Sequence, residues 1–312
     1  MDFPIFNLNE FEQETGFKRK KLAANLDLLC QNLGFLIIVD HQISKEIICN
    51  QWRAVANFFS QRTEMKTNVE VPFPGYPYGW IPPERESLGR ALDKKSPPDL
   101  KESFNGGPFK VPKDLVDPEA YKFCYQPTLW PDLEGFKDAW QAYYSAMELL
   151  AERLMKVFAE ALGLEREYFN PFIKNPISAL RAIYYPSTGK NKELEQQRAG
   201  AHTDYGSLTI LLPQPETSGL QVFHNKEWIP VPNPDNSFVI NLGDLMALWT
   251  SGRWQSTLHR VVALPNQPSR KSLAFFHQPD WEAEINPIFS NTKFKTVRSG
   301  PYLMERFKEV NT

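Results

Sequence analysis

His202 and Asp204 stand two residues apart, and His259 follows 55 residues after the Asp in the half of the 312-residue chain richest in short β-branched runs. Two neutral imidazoles and one carboxylate suit one face of an octahedral ion. They leave Fe(II) a net single positive charge and keep three positions open for substrate-derived ligands and dioxygen. Structural zinc sites more often close at four protein ligands. On an extended strand His202 and Asp204 leave the same face about 7 Å apart, so both can reach one ion. His259 must come from a second strand, which Ser256-Thr-Leu-His-Arg-Val-Val-Ala-Leu264 is composed to form. By itself the His-x-Asp pair is a weak signal, because such pairs arise by chance.

A second constellation strengthens it. Arg270-Lys-Ser272 begins 11 residues after His259, room for one strand, a turn through Pro265-Asn-Gln-Pro268 and a return strand over Lys271–His277. Arg270 and Ser272 then share a face. A planar guanidinium beside a hydroxyl fits a carboxylate, the Arg supplying two parallel hydrogen bonds and the Ser a third. Beside the triad, this reads as the anchor of a dicarboxylic cosubstrate.

The elements that must position these residues fall into two regions, 1–134 and 135–312, expected to pack as one compact unit. Phe17–Leu33 and Ser44–Arg62 carry apolar residues at helical spacing around a buried strand at Phe35–Val39. Twelve prolines between residues 71 and 134 forbid long helices and interrupt sheet ladders there. The aromatics Phe73, Tyr76, Tyr78, Trp80 and Phe104 argue that this stretch is ordered, and it reads as a substrate lid. Its charged residues Arg85, Arg90, Lys101 and Glu102 read as solvated. Asp138–Leu164 has the 3,4 apolar spacing of a long amphipathic helix packed on a sheet. After Ile177, short strands separated by turns such as Ser187-Thr-Gly189, Asn225-Lys226 and Ser251-Gly252 indicate a sandwich or barrel. The segment after Trp281, with Phe289, Tyr302 and Phe307, is placed to close over the site.

Net charge of -2 gives no electrostatic reason to expect nucleic acid or an anionic membrane as partner. No run of 18 apolar residues and no signal-peptide pattern occurs, so a cytoplasmic protein is expected. Cys30, Cys49 and Cys124 are odd in number and widely spaced, as reduced, buried packing thiols would be. His224 reads as a turn residue. His277, seven residues after Arg270, falls on the opposite face of its strand, yet strand ends break alternation and leave it a candidate substrate contact at the mouth.

The chain resembles the Fe(II)/2-oxoglutarate-dependent dioxygenase superfamily, isopenicillin N synthase-like branch. The matching text is Gly200-Ala-His-Thr-Asp-Tyr-Gly-Ser-Leu-Thr-Ile-Leu-Leu212, Gly219-Leu-Gln-Val222, Trp228-Ile-Pro-Val231, Phe238-Val-Ile-Asn-Leu-Gly-Asp244, Ser256-Thr-Leu-His-Arg-Val261 and Arg270-Lys-Ser-Leu-Ala-Phe-Phe276. Phe3-Pro-Ile-Phe6 and Leu33–Ser44 resemble the family's entry, with Gln42 where glycine is usual and His41 matching a structural loop histidine. The resemblance implies a mainly β fold with an α-helical scaffold, its core a double-stranded β-helix, the cupin-like jelly-roll, with the metal in its mouth. It implies Fe(II) on His202, Asp204 and His259, and 2-oxoglutarate as cosubstrate with its distal carboxylate on Arg270 and Ser272. Tyr185, before Pro186, matches a family tyrosine at that carboxylate, and Phe104 and Asn105 match a segment that lines the substrate pocket.

The implied reaction couples oxidative decarboxylation of 2-oxoglutarate, giving succinate and carbon dioxide, to C–H oxidation of a small-molecule substrate, by default hydroxylation. Desaturation, ring closure and demethylation share its first step, and halogenation is disfavoured because Asp204 occupies the place a halide would need. By family habit the substrate is a natural product or amino-acid derivative and the protein a monomer. Two alternatives stay open: an oxidase of the isopenicillin N synthase type, which keeps Arg-x-Ser without using 2-oxoglutarate, and a non-catalytic metal-binding cupin.

Overall fold

A computed structural model describes residues 3–91, 96–189, 196–217, 219–290 and 293–311. The strands are β1 (Ile5–Asn7), β2 (Phe35–Val39), β3 (Trp80–Ile81), β4 (Glu102–Gly106), β5 (Ala179–Tyr185), β6 (Ala199–His202), β7 (Leu208–Pro213), β8 (Leu220–His224), β9 (Glu227–Pro230), β10 (Phe238–Leu242), β11 (His259–Val261), β12 (Arg270–His277), β13 (Glu284–Ile285) and β14 (Val297–Arg298). The helices are α1 (Leu8–Gln13), α2 (Gly16–Asn32), α3 (Lys45–Ser60), α4 (Thr63–Lys66), α5 (Pro118–Cys124), α6 (Phe136–Ala161), α7 (Asp244–Trp249) and α8 (Ser299–Asn311). Among the described residues a large sheet runs β1-β2-β10-β7-β12-β5-β4-β3, and a smaller one runs β6-β11-β8-β9. The two form the jelly-roll core.

Strand alternation sorts the large sheet into two faces. Leu180, Ala182, Leu208, Ile210, Phe238, Ile240, Leu273 and Phe275 point to the helical side and join the main core. That side is covered by α6, whose buried residues include Trp140, Tyr144, Met147, Leu150, Leu154 and Phe158, spaced to make one stripe. Arg19 of α2 grips Glu160 of α6, and Arg153 of α6 holds both Glu12 and the His41 carbonyl, so the N-terminal helices brace the scaffold helix. Gln42 has φ 64°, which explains why glycine suits that position. The other face of the large sheet carries Ile183, Tyr185 and Val239, which meet Leu220, Val222 and Val261 of the small sheet in a separate inner core.

Four sequence expectations change here. First, β11 and β12 do not form a hairpin: β11 pairs with β6 and β8, whereas β12 pairs with β5 and β7. The Pro265–Pro268 turn crosses from one sheet to the other. Second, the proline-rich region is more than a connection. Residues 99–107 are free of proline, and that gap lets β4 form and add to the sheet beside β5. Strands on both sides of residue 134 therefore share one sheet. Third, Lys101 and Glu102 are buried, not solvated. Lys101 pairs with Asp99 at 3.0 Å, and Glu102 accepts from Lys66 and from Trp80 Nε1 at 2.7 and 2.6 Å. Fourth, Cys49 is exposed, while Cys30 and Cys124 are buried.

Candidate metal centre

His202 ends β6, His259 opens β11, and the two are direct partners across that antiparallel pair. Asp204 lies two residues beyond the end of β6. Its Oδ1 is 3.8 Å from His202 Nε2 and 3.7 Å from His259 Nε2. One ligand atom from each of the three lies within 4.8 Å of the others.

Hydrogen bonds explain why these atoms converge. His202 Nδ1 donates to the Gly200 carbonyl at 2.7 Å, and His259 Nδ1 donates to the Thr257 carbonyl at 3.0 Å. A carbonyl only accepts, so each Nδ1 carries the proton and each Nε2 keeps its lone pair for the common centre. Asp204 Oδ2 accepts from Thr209 Oγ1 at 2.5 Å and from Asn241 Nδ2 at 2.7 Å, which leaves Oδ1 to turn inward. Burial, aided by the neighbouring His259, pushes His202 down to about 4. Burial alone would raise Asp204, but the two imidazoles and the Asn241 and Thr209 bonds outweigh it and hold the carboxyl below its usual range. A neutral imidazole beside an ionised carboxylate is the state a divalent cation binds without first displacing a proton. The donor set fits iron.

Thr209 and Asn241 were missed from sequence, although a signal existed: each is a polar residue within an apolar strand, on β7 and β10. Strand register sets them opposite each other, Asn241 against Thr209.

Arg270 pairs in register with Tyr185, and its guanidinium lies 5.2 Å from the Tyr185 ring centroid. Arg270 and Ser272 are 2% and 1% exposed, on the inner face of β12, and Ser272 Oγ has no hydrogen-bond partner among the described residues. Sequence reading also missed Arg198, 2% exposed, which donates to the Pro186 and Pro268 carbonyls and whose Nε is buried with no partner among the described residues. Burial, and then the charge of Arg270, lower the Arg198 pKa, and burial lowers that of Arg270.

The three candidate substrate contacts separate. Phe104 is fully buried on the helical side, ringed by Phe58, Phe136 and Trp140 with centroids 5.1–5.2 Å away, and so is a core residue. Asn105, its neighbour on β4, faces the other way and accepts from Arg181 Nε at 2.7 Å. Arg181 also pairs with Glu86, which burial would raise but Arg181 and Lys101 pull down to about 2. His277 keeps strict alternation to the end of β12, on the face of Phe275, with Nδ1 3.1 Å from Ser178 Oγ. It lines a cleft of about 360 Å³ against α6, with Glu148 and Ile173, on the side of the sheet away from the triad. It is not at the mouth.

Residues 176–279 match the 2OG-Fe(II) oxygenase superfamily, and residues 3–133 match the family described as non-haem dioxygenase in morphine synthesis N-terminal. The chain is also 31% identical over 306 residues to the 2-oxoglutarate-dependent dioxygenase caaD of Aspergillus niger, covering 96% of this chain and 91% of the relative. The chain belongs to the 2OG-Fe(II) oxygenase superfamily. This oxygenase is 31% identical to a validamycin A dioxygenase of Streptomyces hygroscopicus subsp. limoneus, over 91% of this chain and 79% of the relative. In structure the oxygenase resembles a full-length Neurospora crassa protein crystallised in complex with alpha-KG, with TM-score 0.86 and 28% identity over 98% of this chain and 95% of that one. The oxygenase depends on Fe(II) and 2-oxoglutarate. Among its described residues no helix is long and apolar enough to cross a membrane.

Proposed function

We propose that this oxygenase hydroxylates a small polar metabolite, with 2-oxoglutarate held by Arg270, Ser272 and Tyr185 and iron held by His202, Asp204 and His259. The observation that carries the cosubstrate assignment is the inner end of β12. There the guanidinium of Arg270, 2% exposed and 5.2 Å from the Tyr185 ring centroid, lies on the same strand face as Ser272, whose buried hydroxyl has no partner among the described residues. A buried hydroxyl without a partner, on the strand face of a buried guanidinium, suits an anion. A carboxylate delivered by a ligand supplies that charge and takes the Ser272 hydrogen bond.

Iron and 2-oxoglutarate together supply dioxygen activation and the oxidation of a C–H bond. The protein supplies position. Arg270 and Ser272 would fix the distal end of the cosubstrate, the backbone-held imidazoles and Asp204 would hold the iron toward its other end, and the inner face of β4 and β5 would orient the substrate. That face offers Asn105 and Arg181 with Glu86 beside them, a set of donors and acceptors suited to a polar molecule. Relatives point the same way: the Neurospora crassa protein has been crystallised with thymine and with 5-formyluracil, and another relative is named for validamycin A. We place the enzyme in the cytoplasm as a monomer.

The test is succinate release from 2-oxoglutarate in the presence of Fe(II) and dioxygen, with a panel of nucleobases and aminocyclitols as substrates. Succinate with wild-type protein and none with Arg270→Ala supports the assignment. Substrate oxidation without succinate would replace it with an oxidase that does not use 2-oxoglutarate.

A further inference from the structure

The C-terminal helix is tied to the loop that carries the carboxylate ligand. Arg306 of α8 donates from its guanidinium to Asp244 Oδ2 at 2.8 Å, and the same oxygen accepts from Thr203 Oγ1 at 3.2 Å. Asp244 Oδ1 accepts from Ser256 Oγ at 2.6 Å, so the carboxylate is committed on both sides. The Arg306 guanidinium also sits 5.0 Å from the Tyr205 ring centroid, and the edge of Phe307 meets that ring at 5.5 Å. Thr203 and Tyr205 are the two neighbours of Asp204. Consecutive residues of α8 thus hold the residues on either side of the ligand, one through Asp244 and one through the ring.

The backbone closes the same circuit. Asp244 N–H donates to the Asp204 carbonyl at 2.7 Å, and Leu245 N–H to the Tyr205 carbonyl at 3.2 Å. The first turn of α7 therefore cradles the ligand loop from below. Gly243 permits the approach, since a Cβ there would stand 2.2 Å from the Gly206 carbonyl oxygen and 2.7 Å from that of Asp204.

Tyr205 and Tyr302 pack against a small core separate from the two main ones, built from Ala120, Cys124, Ile177, Trp281 and Leu303. It joins α5, α8 and the metal loop. Phe123 of α5 packs on both Phe307 and Trp281, and Trp281 Nε1 donates to Asp117 at the start of α5. Exposed helix ends with few apolar contacts are the elements that open first, and Phe307 is 47% exposed.

We propose that α8 is a strap whose docking positions Asp204, with Arg306 as the positioning residue, so that metal affinity depends on whether the strap is closed. The proposal rests on the metal assignment above. Arg306 is not one of the three converging ligands; it acts through Asp244, Thr203 and Tyr205.

Co(II) titration of the metal-free protein by calorimetry and visible absorbance tests this on wild type, Arg306→Ala, Arg306→Lys and the solvent-facing control Glu305→Ala. Arg306→Ala is expected to weaken Co(II) about tenfold or more, the size of effect seen when a residue that orients a ligand is removed. Arg306→Lys recovers part of the loss, because the charge is kept and the planar fork is not. Glu305→Ala is expected to bind as wild type does. Wild-type affinity in Arg306→Ala overturns the strap, and so does an equal loss in Glu305→Ala, which would mean only that α8 is marginally folded. If Arg306→Ala does not fold, Phe307→Leu reads the same constant: weaker binding upholds the strap and unchanged binding overturns it. Failure of wild type itself to bind Co(II) would instead remove the metal assignment.

Discussion

His202 and His259 face each other in register across β6 and β11, their ring centroids 4.3 Å apart. The register shifts at once, between the His259 and Val261 pairings. Both rings turn a nitrogen toward Asp204, and three electron-pair donors at one point suit a cation there. Asp204→Ala is expected to abolish Fe(II)-dependent turnover. It should lower Co(II) affinity by more than the roughly 10–100-fold that follows loss of a group that only orients a ligand. Normal activity in that variant would refute the triad.

Asn241 and Thr209 hold the outer oxygen of Asp204 from adjacent strands. Asn241→Leu should weaken metal binding about tenfold or more by freeing the carboxylate to rotate. Calorimetric titration with Co(II) measures this, and an unchanged constant would show that the carboxylate is held well enough by Thr209 alone.

Arg270→Ala should weaken 2-oxoglutarate by at least about 30-fold, since truncating one partner of a buried charge pair costs about 2 kcal/mol or more. Ser272→Ala removes one neutral donor, worth about 1 kcal/mol or roughly fivefold. Anaerobic titration of 2-oxoglutarate into the Fe(II)-loaded protein, followed by visible absorbance, gives both constants. Equal effects from the two variants would contradict the assigned division of labour.

His277 is buried and neutral, pushed down to about 4 by burial. Its folded pKa lies below its unfolded value, so the unfolded chain binds the extra proton between the two. The stability it contributes is present above about 6.5 and lost as pH falls toward 4, by at most about 3 kcal/mol. His277→Gln should flatten the fall in thermal midpoint between pH 6.5 and 4.5. A slope as steep as wild type in that window would place the acid sensitivity elsewhere.

Phe104→Ala is expected to destabilise the fold by about 3–5 kcal/mol, because its ring fills a fully buried site among three others. Denaturant unfolding measures the loss. The constant for 2-oxoglutarate, measured on the fraction that remains folded, should not move, whereas a large change would show that loss of the ring reaches the inner face of the sheet.

Local chemistry made much of this enzyme legible before any coordinates. The His-x-Asp pair with a distant His, and the Arg-x-Ser on one strand face, could be read as candidate sites because donor type and two-residue periodicity are properties of the chain itself. The 3,4 apolar stripe of α6 and the alternation that puts His277 opposite Arg270 were equally local. Non-local pairing was not legible. The assignment of β11 and β12 to opposite sheets depends on which strands lie between them, and no short-range pattern records that. The burial of Lys101 and Glu102 depends on partners 2 to 36 residues away. Burial likewise turned Phe104 from a contact into core, since an aromatic ring on a strand reads the same whether helix or ligand covers it. The link from Arg306 to the Asp204 loop joins residues about a hundred positions apart, and only the folded chain brings that guanidinium to Asp244 and Tyr205.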